Sequence, residues 1–319
     1  MRQLRVPIPI PALSHVNVYL LRDGDAAALV DAGMESGETH RALLESLGRL
    51  GLGPCDLDFV AVTHFHVDHI TLLPRLLSQC PVPAYLGRRD LEVVRAGFEQ
   101  YFLNILKLYA DYGAPGDELE RIRRSHYVTA LAGAYEALAS SDLRPLAEGD
   151  ELRVGGSALR VVELPGHTPG HVGLLAGGAA LVGDAVLAGI TPHVVLDRPD
   201  RDALGEYLAT LARLARMRGV RAYAGHGAPV DDLGARAAEI IAHHESRLRE
   251  VLGLLRSRGP MTAYDVARRV RWRTRARSWE EMTPYERYFA IGEALAHLRR
   301  LESEGLAAEV GGGAFRAVS

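Results

Sequence analysis

The chain has 319 residues, a hydrophobic fraction of 48%, a charged fraction of 24% and a formal net charge of −3. That length suits about two domains, and the small net charge gives no overall attraction to nucleic acid. No run nears the roughly 18 apolar residues a membrane helix needs, and the start shows no signal peptide, so the expected setting is the cytoplasm with no membrane partner.

Taken in chain order, Asn17 falls in a first hairpin and reads as structural, and Val30-Asp31-Ala32-Gly33 closes an apolar run as a strand-terminating turn. Cys55 and Cys80 lie outside every motif and read as reduced bystanders. Residues 57–62 read as a buried strand leading into Thr63-His64-Phe65-His66-Val67-Asp68-His69, with a helix over 70–77. A helical insertion follows, about 91–140, broken at Ala114-Pro115-Gly116 and carrying Tyr101, Tyr109, Tyr112, His126 and Tyr127. Each of these aromatics reads as a core contact, and the insertion as a whole as a wall or lid over the site. Three further apolar runs, 159–164, 179–182 and 220–224, lead to Gly166-His167-Thr168-Pro169-Gly170-His171, to Gly183-Asp184 and to Gly225-His226-Gly227.

Beyond a helix over 235–257, Gly259-Pro260 opens a new pattern. It comprises a short helix capped by Thr262, a longer one over 288–301 and a glycine-turn hairpin over 305–318. Arg268, Arg269, Arg271, Arg273, Arg275 and Arg277 surround Trp272, a positive strip with an aromatic for stacking, offset by Glu280, Glu281, Glu286, Glu293, Glu302 and Glu304.

His64, His66, Asp68, His69, His167, Asp184 and His226 are the donor types that zinc takes. His64 and His66, separated by one residue on extended backbone, project to the same side and reach one metal together, with His167 completing that site. Asp68 and His69 sit where the chain turns toward a helix and reach a second metal with His226, while Asp184 bridges the two. Two metals about 3.5–4 Å apart hold one hydroxide between them, a nucleophile available at neutral pH. The expected cofactors are therefore two divalent cations per chain, zinc first, with manganese or ferrous iron as alternatives. Asp68 is the catalytic candidate, because it can take up a proton as the hydroxide attacks.

The combined clusters resemble the metallo-β-lactamase superfamily, nearest its glyoxalase II-like branch. The resemblance implies an α/β fold: a four-layer αβ/βα sandwich over residues 1–240 with a dinuclear metal site, and Asp31 beside the metal loop. Residues 241–319 resemble the winged helix carried by the lactamase-like endoribonuclease group, and His244-Glu245-Ser246-Arg247 resembles that group's junction. The function expected is metal-dependent hydrolysis of an ester, thioester or related carbonyl substrate of small size. One alternative is an endoribonuclease that holds single-stranded RNA on the winged helix. Another is a persulfide dioxygenase using one iron on His64, His167 and Asp184. His171 is surplus to the ligand set and is expected to orient the metal loop. His193 reads as a turn residue or a substrate contact, His243 and His244 as junction residues, and His297 carries no pattern.

Overall fold

In the computed structural model, which describes residues 1–10 and 13–318, the apolar runs of the first half form a six-stranded sheet. Its strands, in spatial order, are β1 (Arg2–Pro7), β2 (His15–Asp23), β3 (Ala26–Val30), β4 (Phe59–Val62), β5 (Ala84–Gly87) and β6 (Leu143–Leu146). β1 to β3 pair antiparallel, and β3 to β6 run parallel. The second sheet holds β7 (Glu151–Val154), β8 (Ser157–Glu163), β9 (Val172–Ala176), β10 (Ala179–Gly183) and β11 (Arg221–Ala224), ordered β11-β10-β9-β8-β7. Only β10 and β11 are parallel neighbours there.

The sheets share one core. Tyr19, Ala28, Val30, Phe59 and Ala61 of the first sheet cluster with Leu159, Val161, Leu174 and Leu181 of the second. Val18, Leu20, Leu29 and Val60, on the alternate side of the first sheet, are buried as well. Both faces being covered explains why β3 and β4 read as unbroken apolar runs. Part of that cover is α1 (Gly37–Gly48), which packs along β1 and buries Leu43 and Leu47. Two short helices, α2 (Val67–Ile70) and α3 (Leu73–Gln79), follow the first His-rich cluster.

The helical insertion comprises α4 (Arg88–Asp111), α5 (Gly116–Ser125), α6 (Tyr127–Ala130) and α7 (Ala132–Ala139). α4 bends at Gly97, whose φ of 106° lies where side chains with a Cβ rarely go. The rest of the chain adds α8 (Ala203–Leu214), α9 (Leu233–Arg258), α10 (Ala263–Ala267) and α11 (Pro284–Ser303). Three short strands, β12 (Met261–Thr262), β13 (Ala307–Glu309) and β14 (Ala314–Ala317), form an antiparallel sheet ordered β12-β14-β13. Thr262 caps α10 as expected from sequence, and α11 begins four residues earlier than expected, where Thr283 closes a capping box.

The chain divides into two compact units that do not follow chain order. The first is Met1–Phe98, Leu131–Pro192 and Leu214–Arg236, and the second is Glu99–Ala130, His193–Arg213 and Ala237–Ser319. Residues 99–130 of the insertion therefore group with the C-terminal segment. The aromatics of the insertion pack within that second unit: Tyr109 is fully buried, His126 lies against Phe102 and Tyr288, and Tyr101 donates to Asp197 at 3.0 Å. Buried Arg201 pairs with Asp197 at 2.8 Å and with Glu206 at 2.7 Å.

Cys55 and Cys80 are joined as a disulfide across 25 residues, with Cα atoms 5.2 Å apart. This corrects the expectation of reduced thiols. Among the described residues no helix is long and apolar enough to cross a membrane.

Asn17 ties the first hairpin to the turn after β11. Its side chain donates to the carbonyls of Ala224 at 2.9 Å and Gly227 at 3.0 Å, and accepts from Gln3 at 2.7 Å. Asn17→Ala removes three hydrogen bonds, leaving the Ala224 carbonyl with Tyr19 Oη alone, and is expected to lower unfolding free energy by about 1–3 kcal/mol, read from chemical denaturation.

Candidate metal centre

All seven donors named from sequence come together in the first unit, four of them following strand ends and three at the helix α2. β4 runs out into Thr63 and His64, β8 into Gly166 and His167, β10 into Asp184 and β11 into Gly225 and His226. His66 precedes α2, and Asp68 and His69 lie within it. Because β10 and β11 are parallel, with Gly183 opposite Ala224, Asp184 and His226 leave their strands at the same edge. Crevices beyond such strand ends are where ligands gather in α/β sheets. The close fit there requires glycine, since a Cβ on Gly225 would collide with Asp184 Oδ1 and the His69 ring.

The donors form two triads with Asp184 between them. His64, His66 and His167 make one group, and Asp68, His69 and His226 the other. His64 Nε2 is 3.1 Å from His66 Nδ1, His69 Nε2 is 3.3 Å from His226 Nε2, and His226 Nε2 is 3.0 Å from Asp68 Oδ2. Asp184 puts Oδ1 3.7 Å from His69 Nε2 and Oδ2 3.8 Å from His167 Nε2 and 3.5 Å from His226 Nε2. Ligands at about 2.0–2.1 Å from a tetrahedral cation stand about 3.3 Å apart, so the donor spacing fits metal coordination.

The outward nitrogens of three imidazoles are engaged, which settles where their protons sit. His226 Nδ1 meets the His15 carbonyl at 2.9 Å, an acceptor only, so Nδ1 carries a proton and Nε2 is the nitrogen turned inward. His69 Nδ1 lies 2.7 Å from Asp31 Oδ2. His64 Nδ1 contacts Thr63 Oγ1 at 3.0 Å, and that hydroxyl donates to Asp31 at 3.0 Å. Outer partners of this kind fix ligand tautomers in metal sites. Asp31 does this from left-handed backbone, φ 66°, a conformation an aspartate keeps only when its surroundings impose it.

Charge balance points the same way. Burial, then the neighbouring imidazoles, hold His64 well below its usual value, so it is neutral. Burial pushes Asp68 upward, but His69 and His226 outweigh it and hold the carboxyl at about 2. Burial lowers His226, yet Asp184 and Asp68 raise it to about 9. Two ionised carboxylates thus favour positive charge between them, and buried Asp184 Oδ1 accepts no hydrogen bond among the described residues. A divalent cation satisfies both conditions.

Two braces complete the site. His171 Nε2 accepts from the Asp184 backbone N–H at 3.1 Å, which is the orienting place expected for it. Asp90, on α4 and carried by no motif, is fully buried and joins both His-bearing loops. It accepts from Phe65 N–H at 3.1 Å, Thr168 Oγ1 at 2.7 Å and Gly170 N–H at 2.6 Å. An acidic residue one turn into a helix was the only sequence signal it offered. Asp90→Asn keeps the volume but turns an amide toward donors. It is expected to weaken metal retention by about 10- to 100-fold in a chelator competition, with the fold intact by circular dichroism.

Comparison with known proteins agrees with this geometry. The family model of the metallo-beta-lactamase superfamily matches residues 12–226. A metallo-beta-lactamase family protein of Thermus thermophilus is 31% identical, with 99% of this chain and 98% of that one covered and a TM-score of 0.81. A beta-lactamase domain protein of Burkholderia ambifaria is 30% identical over 99% of this chain and 92% of that one, also with a TM-score of 0.81. The probable metallo-hydrolase YqjP of Bacillus subtilis is 28% identical over 94% of this chain and 92% of its own length. With two sheets meeting over a buried His and Asp cluster, and a family match spanning both, the chain belongs to the metallo-beta-lactamase superfamily and is an enzyme of it.

Proposed function

We propose that this enzyme hydrolyses an ester, thioester or related carbonyl compound of small size, in the manner of the glyoxalase II-like branch. His64, His66 and His167 would hold one divalent cation, Asp68, His69 and His226 the other, and Asp184 would serve both. Zinc is the first choice for a set rich in imidazole, with manganese or ferrous iron as alternatives. The observation that carries the reading is the position of Asp184, whose two oxygens reach 3.7 and 3.8 Å toward imidazoles of opposite triads. When bound, such a cation pair supplies a water acidic enough to attack at neutral pH and a Lewis acid for the charge that develops.

The residues do the rest. Asp31, Thr63 and the His15 carbonyl keep three imidazoles turned inward with their protons on the outer nitrogen. Asp68, held at about 2, is ionised but a weak base, so ligation is its first task and proton uptake is transient. Burial of the cluster excludes bulk water and strengthens each of these electrostatic contacts.

The row of arginines supports a second reading, as an endoribonuclease. Arg271, Arg273, Arg275 and Arg277 are all exposed and alternate with partly buried residues, a spacing able to meet successive phosphates of single-stranded RNA. Trp272 is less suited to stacking than its sequence setting implied. Arg247 covers its ring at 4.5 Å, and its indole N–H donates to Ala267. We place these arginines on a winged-helix module formed by α10, α11 and the three-stranded sheet. The persulfide dioxygenase reading needs one iron on three ligands and leaves four converging donors without a task.

Asp184→Ala is expected to lose most of both metal equivalents and to abolish turnover, measured by elemental analysis beside thioester and RNA assays. Full metal content with an unchanged rate would refute the shared role, and one iron per chain with oxygen uptake would favour the dioxygenase. Replacing Arg271 and Arg273 together with Ala is expected to weaken RNA binding several-fold at low salt and to flatten its salt dependence. An unchanged salt slope would remove the RNA reading.

A further inference from the structure

The second unit contains a separate cluster of metal-binding groups, made by His244 of α9 with Glu293 and His297 of α11. All three are buried, at 0%, 6% and 0% exposure. Glu293 and His297 are four residues apart and so share one face of α11. Their ligand atoms and that of His244 all lie within 4.8 Å of one another. His193 stands beside them, half exposed, with Nδ1 3.5 Å from Glu293 Oε2 and its ring stacked on Phe289.

The His297 proton is placed as a metal requires. His297 Nδ1 meets the backbone carbonyl of Glu293 at 2.7 Å, so it must donate there, and Nε2 is left as a lone pair. That lone pair faces His244 Nδ1 at 3.3 Å, about the separation of two nitrogens on one tetrahedral cation. Burial holds His244 down at about 3 and His297 at about 4, so both imidazoles are neutral. Glu293 is held at about 2 by His193 and His297 despite its burial. Its carboxylate contacts are long, 3.5 Å to His193 and 4.0 Å to Arg247 Nη1. Arg247 directs Nε to Glu250 at 3.1 Å and Nη2 to the Arg271 carbonyl at 3.2 Å, and its Nη1 stops short of a hydrogen bond to Glu293. A buried carboxylate with such loose partners favours a nearby cation.

We propose that His244, Glu293 and His297 bind a third divalent transition ion, zinc by donor type, with His193 orienting the Glu293 carboxylate at the mouth of the site. Two imidazoles and one carboxylate, buried between two helices, make this a structural site that clamps α9 to α11. The competing account of the 3.3 Å contact is a proton shared between the two imidazoles, with no metal.

The full-length enzyme decides between them. Crystals soaked in zinc chloride are measured for anomalous scattering at the zinc edge, with peaks at the strand-end centre as the internal control. A further peak bonded at about 2.0–2.2 Å to His244 Nδ1, His297 Nε2 and the Glu293 carboxylate supports the site. Occupied strand-end positions with no peak on the α9–α11 cluster overturn it. In solution, His297→Ala is expected to lose one zinc equivalent by elemental analysis while turnover per strand-end metal is unchanged. An unaltered zinc count would also overturn the proposal. Should that variant fail to fold, exposed His193→Ala reads out the same site, with zinc affinity expected to fall at least about tenfold.

Discussion

Two carboxylates, Asp68 and Asp184, are held out of water among five imidazoles, and the strand-end region of the first unit is organised around balancing that charge. Burying an unpaired carboxylate costs several kcal/mol, so the arrangement is stable only where positive charge joins it. Protons can serve in part, as the raised His226 indicates, but the geometry suits cations better. Lone pairs of imidazoles held this close repel unless something positive lies between them. The same constraint explains the glycines, since Gly225 lets backbone pass where any side chain would strike Asp184.

Precision at the centre comes from residues that never need to touch a substrate. Asp31 fixes His69 directly and His64 through Thr63, from a backbone conformation that costs energy by itself. Asp90 joins the loop bearing His66 to the loop bearing His167, and Asn17 fastens the turn that bears His226. Each is buried, and each satisfies groups on a segment distant in sequence. The first sheet is thereby bound to the second at the place where the metal-binding groups meet.

The second unit follows a similar logic with a different outcome. Its aromatics and its Arg201 pairs with Asp197 and Glu206 are packing elements. Of the insertion's aromatics, Tyr109, Tyr112 and His126 are buried core contacts, while Tyr101 and Tyr127 are partly buried. His244 and His297 lie 53 residues apart in sequence, and only helix packing makes them neighbours.

The sequence alone marked the four strands that lead to the His and Asp clusters and named the seven candidate donors, because short apolar runs ending in Gly and His carry both a folding signal and a chemical one. Strand ends fell within about two residues of expectation, and the cap at Thr262 and the periodicity of α9 were equally legible, since each is encoded over a few neighbouring residues. Tertiary structure alone decided the long-range pairings: the Cys55–Cys80 disulfide, Asp90 between two loops, β12 beside β14, the packed indole of Trp272, and His244 against Glu293 and His297. Local patterns specify how a segment folds. Which buried polar group meets which depends on how distant segments pack, and no spacing along one stretch of chain records that.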